Sequence, residues 1–274
     1  MAFFEVDAQL CKRDNICIAE CPIRIIIADK ETGVPKLRLG TEDACIRCGH
    51  CVAVCPHAAL RLEPMPFEAF TPVDRKDAIA PAKAEEFLRS RRSIRTFRTT
   101  PVEHHTLAQI METARFAPSA SHKQPVNWVM VEAPEKVHRI AEVIVEWMTA
   151  LRQENPELAK KYNVAGLIAG WRKGVDLIMR GAPHVAVAWT EPGLTWSVAD
   201  SAIALTYVEL AAHAHGVGAC WAGYFTYAAN TCQPLRELLQ LPQGAVVCGG
   251  QLLGYPKYRY RRLPWRKPLA IQWV

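Results

Sequence analysis

The chain of 274 residues has no uninterrupted apolar run of eighteen residues and no charged-then-apolar leader at Met1. The first absence speaks against a membrane-spanning helix and the second against an export signal, so the expectation is a soluble protein that stays in the cytoplasm. No G-x-G-x-x-G opens a βαβ unit, which leaves no dedicated Rossmann site for a nicotinamide nucleotide. No acidic residue follows Glu237, whereas Arg259, Arg261, Arg262, Arg266 and Lys267 do. Residues 1–63 hold eight Lys or Arg against nine Asp or Glu, so the net charge of +6 belongs to the remainder. That charge comes without a nucleic-acid-binding motif; it reads as a phosphate site plus solvated surface, and nucleic acid is not an expected partner. An acidic redox partner suits it better. Nor do the ten cysteines look like a disulfide framework: seven fall in two short runs, and Cys220, Cys232 and Cys248 stand singly. This is the usage of a reducing compartment.

What is present starts with Cys45, Cys48, Cys51 and Cys55, followed by Pro56. Thiolates at gaps of two, two and three residues, then proline, form the ligand run of a bacterial ferredoxin. Zinc prefers two C-x-x-C knuckles well separated in sequence, so iron and sulfide fit the row better. Gly49 supplies backbone freedom beside the second ligand. An upstream run has Cys11, Cys17 and Cys21 before Pro22, but its second ligand position is Asp14. In two-cluster ferredoxins the fourth Cys of each run serves the other cluster. That rule assigns Cys21, Cys45, Cys48 and Cys51 to a 4Fe-4S centre, and Cys11, Asp14, Cys17 and Cys55 to a second one. With one hard carboxylate, the second is expected as a 4Fe-4S or a 3Fe-4S cluster. The alternative is that Asp14 is a turn residue and this cluster is absent. His57 follows this run and either tunes a cluster or packs.

At 50% hydrophobic and 22% charged residues the composition is globular, and the length requires more than a ferredoxin. Prolines at 64, 66, 72 and 81 mark a boundary. The expected organisation is an iron-sulfur domain over 1–63, a linker over 64–82 whose Phe67, Phe70 and Val73 lie on the larger domain, and that domain over 83–274. There, helical periodicity covers 84–92, 101–116, 134–151 and 197–215, and short apolar strands cover 128–131, 185–189 and 246–253. The pattern implies a layered α+β fold with the apolar helix 197–215 buried.

Four segments carry the chemistry. Arg91, Arg92, Ser93 and Arg95 suit a phosphate, Arg91 and Arg95 sharing a face if helical. The loop from Pro118 through Ser119, Ala120, Ser121, His122 and Lys123 to Gln124 offers small polar groups to a ligand. G-V-G-A-C-W-A-G spans 216–223, and L-L-G-Y-P precedes a later P-W-R-K-P. In this order, across roughly 84–274, they resemble the nitroreductase family of flavin enzymes. The resemblance implies FMN at the interface of an intertwined homodimer. Arg91, Arg92, Ser93, Arg95, Arg266 and Lys267 would hold its phosphate and nearby ring atoms, with Pro118–Gln124 arriving from the other subunit and Ala222 and Gly223 near the flavin N5 edge. His122 departs from the family, which usually has Asn there; its ring would replace the amide, transfer a proton or only fill space.

Other residues reduce to structure. His213 and His215, two apart on a helix, face different ways. His104 and His105 are expected to be exposed, and Asp200 and Glu209 to be structural carboxylates with partners. Trp147, Tyr162 and Trp171 are core residues unless they cover the flavin. The implied function is an FMN oxidoreductase fed by the iron-sulfur domain, from an external ferredoxin-like donor or NAD(P)H, reducing a flat nitroaromatic, quinone or activated alkene. The alternative is an electron-transfer or redox-sensing module serving a partner protein.

Overall fold

The computed structural model describes residues 3–74, 76 and 78–274. The chain divides into two compact units, Met1–Ile79 with Ser121–Lys123, and Ala80–Ala120 with Gln124–Val274.

The first unit contains β1 (Phe4–Val6), α1 (Ile16–Glu20), β2 (Ile26–Ala28), β3 (Pro35–Leu37), α2 (His50–Ala53) and β4 (Leu60–Leu62). β1 pairs antiparallel with β4, Phe4 opposite Leu62, and β2 with β3, Ile26 opposite Leu37. Each one-turn helix starts from a left-handed residue, Asn15 for α1 and Gly49 for α2. Gly49 has φ 71°, a region glycine enters without a Cβ penalty. Cys17, Cys21 and Cys51 are buried with Ile25, Ile26, Val52, Leu60 and Leu62. Met65, Phe67 and Phe70 pack against this same core and Val73 is 91% exposed. The aromatic part of the expected linker therefore packs on the core of the first unit.

The second unit begins with α3 (Pro81–Ser90), α4 (His104–Ala114), β5 (Asn127–Val131) and α5 (Pro134–Glu154). Then come α6 (Pro156–Lys161), α7 (Val164–Arg172), β6 (His184–Thr190) and α8 (Ser197–Ala214). β7 (Gly218–Trp221), α9 (Gly223–Thr231), α10 (Gln233–Leu238) and β8 (Val246–Gly254) complete it. Proline opens α3 and α5, where a missing N–H costs nothing, and Gly216 ends α8 at φ 70°. The sheet runs β5-β6-β8-β7, antiparallel throughout. Side chains of β6 alternate: Val185 and Val187 enter one core, while Ala186 enters another with Val208 and Ala212 of α8. Helices thus cover both faces, the layered α+β arrangement. Contrary to expectation α8 is buried on one side only, with Val198 and Ile203 exposed. No described helix is long and apolar enough to cross a membrane.

Candidate functional site

In the first unit the cysteines sort around two cavities. One is lined by Cys21, Cys45, Cys48 and Cys51 among apolar side chains such as Phe4, Ile25 and Leu37. The other is lined by Cys11, Asp14, Cys17 and Cys55, with Lys12 and His57. Burial, then Cys48 and Cys45, push the Cys51 thiol up to about 12. Burial, then Cys55, raise Cys17, with smaller contributions from Cys11 and Asp14. These two thiols feel mainly neighbours of their own set, although Cys17 adds a smaller push to Cys51. Among the described residues no three His, Cys, Asp or Glu side chains converge on a point as a single metal ion requires. Cysteine thiols in such sets are the donor type that iron-sulfur clusters take. Asp14 faces this cavity but has partners: its Oδ1 accepts from the Ile16 N–H at 3.2 Å, and its Oδ2 lies 3.4 Å from His57 Nε2. His57 thus touches the odd ligand position itself.

In the second unit the arginine segment is not helical. α3 ends at Ser90, and Arg91 is extended at ψ 132°, so the helix face expected for Arg91 and Arg95 does not exist. The segment runs beside β7: Ser93 bridges Ala219 in parallel and the Ile94 N–H donates to the Ala219 carbonyl at 2.8 Å. Further on, the Arg98 N–H donates to Tyr255 O and the Lys257 N–H to Thr96 O. Three of the four resemblance segments therefore meet along one edge strand. A cleft of about 540 Å³ lies here, lined by Arg91, Arg92, Arg98, Lys257 and Arg259, with Tyr258 and Tyr260. Arg91 Nη1 donates to Glu209 Oε1 at 2.5 Å, and the Arg92 guanidinium lies 5.4 Å from the Tyr260 ring centre. His213 Nε2 is 3.1 Å from Ser90 Oγ, and burial, then Arg91, hold its pKa below the usual value against Glu209. Cys220 is raised by burial against the pull of Arg180 and Arg95. Arg98, Lys257 and Arg180 were not singled out from the sequence; only Lys257, directly after Gly254-Tyr255-Pro256, carries a signal that would have found it.

Ala222 and Gly223 form the turn from β7 into α9. The Ala222 N–H is taken by Gly250 O at 2.8 Å, so the donors left for a ligand are those of the first turn of α9, beginning at Gly223. Of the 118–124 loop, residues 118–120 and 124 belong to this unit: the Ala120 N–H donates to Asp200 Oδ1 at 2.9 Å, and the Gln124 N–H to Ser119 Oγ at 2.8 Å. Ser121, His122 and Gln124 are all left-handed, a strain that persists only where the surroundings impose it. Pro118 is exposed, and Ser119 and Ala120 are partly buried. Arg266 and Lys267 are exposed and outside the lining of the arginine cleft. Trp147 and Tyr162 meet Tyr227 at 5.7 and 5.1 Å, and Trp171 stacks on His138. All three aromatics pack against the core. His104, His105 and His215 are exposed.

Residues 88–255 match the nitroreductase family, and residues 9–60 match the 4Fe-4S dicluster domain. The chain is 30% identical over 188 residues to an NADH dehydrogenase of Thermus thermophilus, covering 64% of this chain and 88% of that protein. A nitroreductase structure from Bacteroides fragilis with bound FMN superposes with TM-score 0.56 at 22% identity, over 70% of this chain and 98% of the other. The FMN-dependent nitroreductase NfnB of Mycobacterium smegmatis, solved with NADPH, gives TM-score 0.51 at 24% identity, over 64% and 87%. The match over more than half of its length, on a fold with the same neighbours, makes this chain a member of the nitroreductase family of oxidoreductases with a 4Fe-4S dicluster domain ahead of the enzyme domain.

Proposed function

We propose that the chain holds FMN beside β7 and passes electrons from two iron-sulfur clusters through it to a flat acceptor: a nitroaromatic, a quinone or an activated alkene. The observation that supports this reading is one stretch of chain pairing at Ser93–Ile94 with Ala219 of β7 and at Thr96–Arg98 with Tyr255–Lys257. Bound clusters would supply single electrons and bound FMN would deliver them in pairs. Cys21, Cys45, Cys48 and Cys51 would hold one cluster and Cys11, Asp14, Cys17 and Cys55 the other. Arg91, Arg92, Ser93 and Arg95 would hold the flavin phosphate and nearby ring atoms, joined by Arg266 and Lys267. The first N–H groups of α9 at Gly223 would face the flavin edge. His122 would donate a proton or stand in for an amide.

A homodimer belongs to the proposal. Ala120 is anchored at Asp200 and Arg91 at Glu209, and nine residues of helix separate these anchors by about 13 Å. Between and beyond them α8 exposes Val198 and Ile203, with Trp196 just ahead. A second copy covering that face would bring its own 118–124 loop toward the flavin. Exposed Leu263, Trp265, Leu269 and Trp273 give the C-terminal stretch something to exchange with a partner. The donor would be a ferredoxin-like protein or NAD(P)H, and the names of the Thermus and Mycobacterium relatives favour the nucleotide. A cytoplasmic setting suits ten free thiols.

Anaerobic purification, with iron, sulfide and FMN counted per chain, and turnover with reduced ferredoxin, NADH or NADPH test the reading. FMN with roughly seven or eight irons, and reduction of a nitroaromatic, are expected. A chain with no flavin and fewer than about four irons would sink it.

A further inference from the structure

Glu209 is the one carboxylate among the residues lining the arginine cleft. It is held against Arg91 with both side chains mostly buried, 20% and 23% exposed. An acid set among cations opposes any anion that enters, at a separation where charges inside a protein still count. Its presence has a reason before any ligand binds, because a mostly buried guanidinium without a partner is costly. We propose that Glu209 is a stand-in anion, which neutralises Arg91 until the flavin phosphate arrives and then yields the guanidinium to it. The inference rests on the assignment of Arg91 to that phosphate.

The surroundings allow such an exchange without moving the frame. Glu209 lies within α8, between the buried Val208 and Ala212, so the carboxylate leaves by a rotamer change and not by a backbone shift. Ser90, next to Arg91, is tied to His213, one helical turn beyond Glu209, and this contact keeps the end of α3 in place. Arg91 engages Glu209 through Nη1 alone, and a guanidinium carries five donors in a fixed fork. The phosphate can therefore make its first contact on the open edge before the carboxylate departs.

A stand-in and a purely structural carboxylate predict opposite signs. The full chain with its clusters, freed of flavin, is titrated with FMN and with riboflavin, which has no phosphate, as wild type, Glu209→Gln and Arg91→Ala. For Glu209→Gln the flavin-free protein should melt lower, while FMN should bind tighter, on the order of tenfold, with riboflavin affinity unchanged. Unchanged or weaker FMN binding, or an equal gain for riboflavin, overturns the inference. Should the Gln variant fold poorly, Glu209→Asp, which withdraws the carboxylate by one methylene, should tighten FMN binding in the same direction by less, and no tightening counts against the stand-in role. If Arg91→Ala leaves FMN affinity intact, the phosphate assignment itself fails. If Arg91→Ala weakens FMN and neither Glu209 variant tightens it, only the stand-in role fails.

Discussion

The junction between β7 and the arginine segment is tight enough to be tested with one methyl group. A Cβ at Gly218 would lie 2.6 Å from Ile94 Cγ1 and 2.8 Å from Ile94 Cβ, where carbon contacts settle at about 3.5–4.0 Å. The obstructing atoms belong to a β-branched, buried side chain with little rotamer freedom, so they cannot swing aside. Gly218→Ala therefore forces the two backbones apart by roughly 1 Å, at the expense of the Ile94 N–H bond to Ala219. Overpacking of this kind costs about 1–3 kcal/mol. The effect on ligand binding should exceed the effect on stability, because Ser93 and Arg95 flank Ile94 and a displacement near 1 Å can cost about a hundredfold in a positioned site. FMN titration is expected to show binding ten- to a hundredfold weaker, with a lower melting temperature for the larger unit. Adding Ile94→Ala removes Cγ1 and the other branch, so the double variant should recover part of the affinity that Gly218→Ala loses, a coupling that a double-mutant cycle reads directly. Wild-type affinity and melting in Gly218→Ala, or a further loss on adding Ile94→Ala, would refute the reasoning.

Three further outcomes are expected. His184 accepts the Val102 N–H at Nε2, 2.8 Å, and is 2.6 Å from Glu132 O at Nδ1, so it is neutral, and burial holds its pKa below the usual value, which is about 6.5. With the folded value below the unfolded one, its contribution is complete above about pH 6.5 and is lost as pH falls toward the folded value; melting from pH 8 down to 5 should show a decline that His184→Gln reduces, and identical profiles would count against it. Asp14→Cys should change the electron paramagnetic resonance spectrum of one cluster toward an all-thiolate one, and an unchanged spectrum removes position 14 from the ligands. Asp200→Ala deletes a buried, charged acceptor worth about 1.5–3 kcal/mol, so the Ala120 amide should exchange with solvent roughly ten- to a hundredfold faster, and unaltered exchange would refute the anchor.

Legibility followed the kind of constraint each element obeys. Cysteine spacing could be read because cluster ligation sets it, and the two cavities gather the same two sets of four that the crossover rule assigns. The helix α5 showed in its periodicity because it faces one core for many residues, and α8 and β6 showed as long apolar runs, β6 with a core on each face. β7 has four residues, Gly-Ala-Cys-Trp, too few and too plain for a pattern. The extended course of Arg91–Arg95 depends on Ala219, more than a hundred residues away, and no local stop signal ends α3 at Ser90. Propensity there favoured continuing the helix, and the long-range pairing overrode it. The 197–215 pattern is apolar all round, which implies burial on every side; one chain supplies the cover for one side only.

β7 also explains why the arginines are where they are. It is an edge strand of the sheet, and an open edge offers unpaired backbone groups to any passing chain. Residues 93–97 cover it, through the Ser93 bridge and the Ile94 bond, and Phe97 then bridges Pro256. The segment that closes the sheet edge is flanked by Arg91 and Arg92 before it and Arg98 after it, all lining the cleft, so protecting the fold and presenting an anion site are joined in one stretch of chain. Such an arrangement concentrates positive charge: of the cations lining the cleft, only Arg91 has a carboxylate partner among the described residues. Like charges gathered on one cleft repel one another, less so where solvent screens them, and an anion relieves that repulsion. Glu209 supplies one from within, and a bound phosphate would supply another. Affinity for a phosphate would thus follow from the way the chain protects its sheet edge.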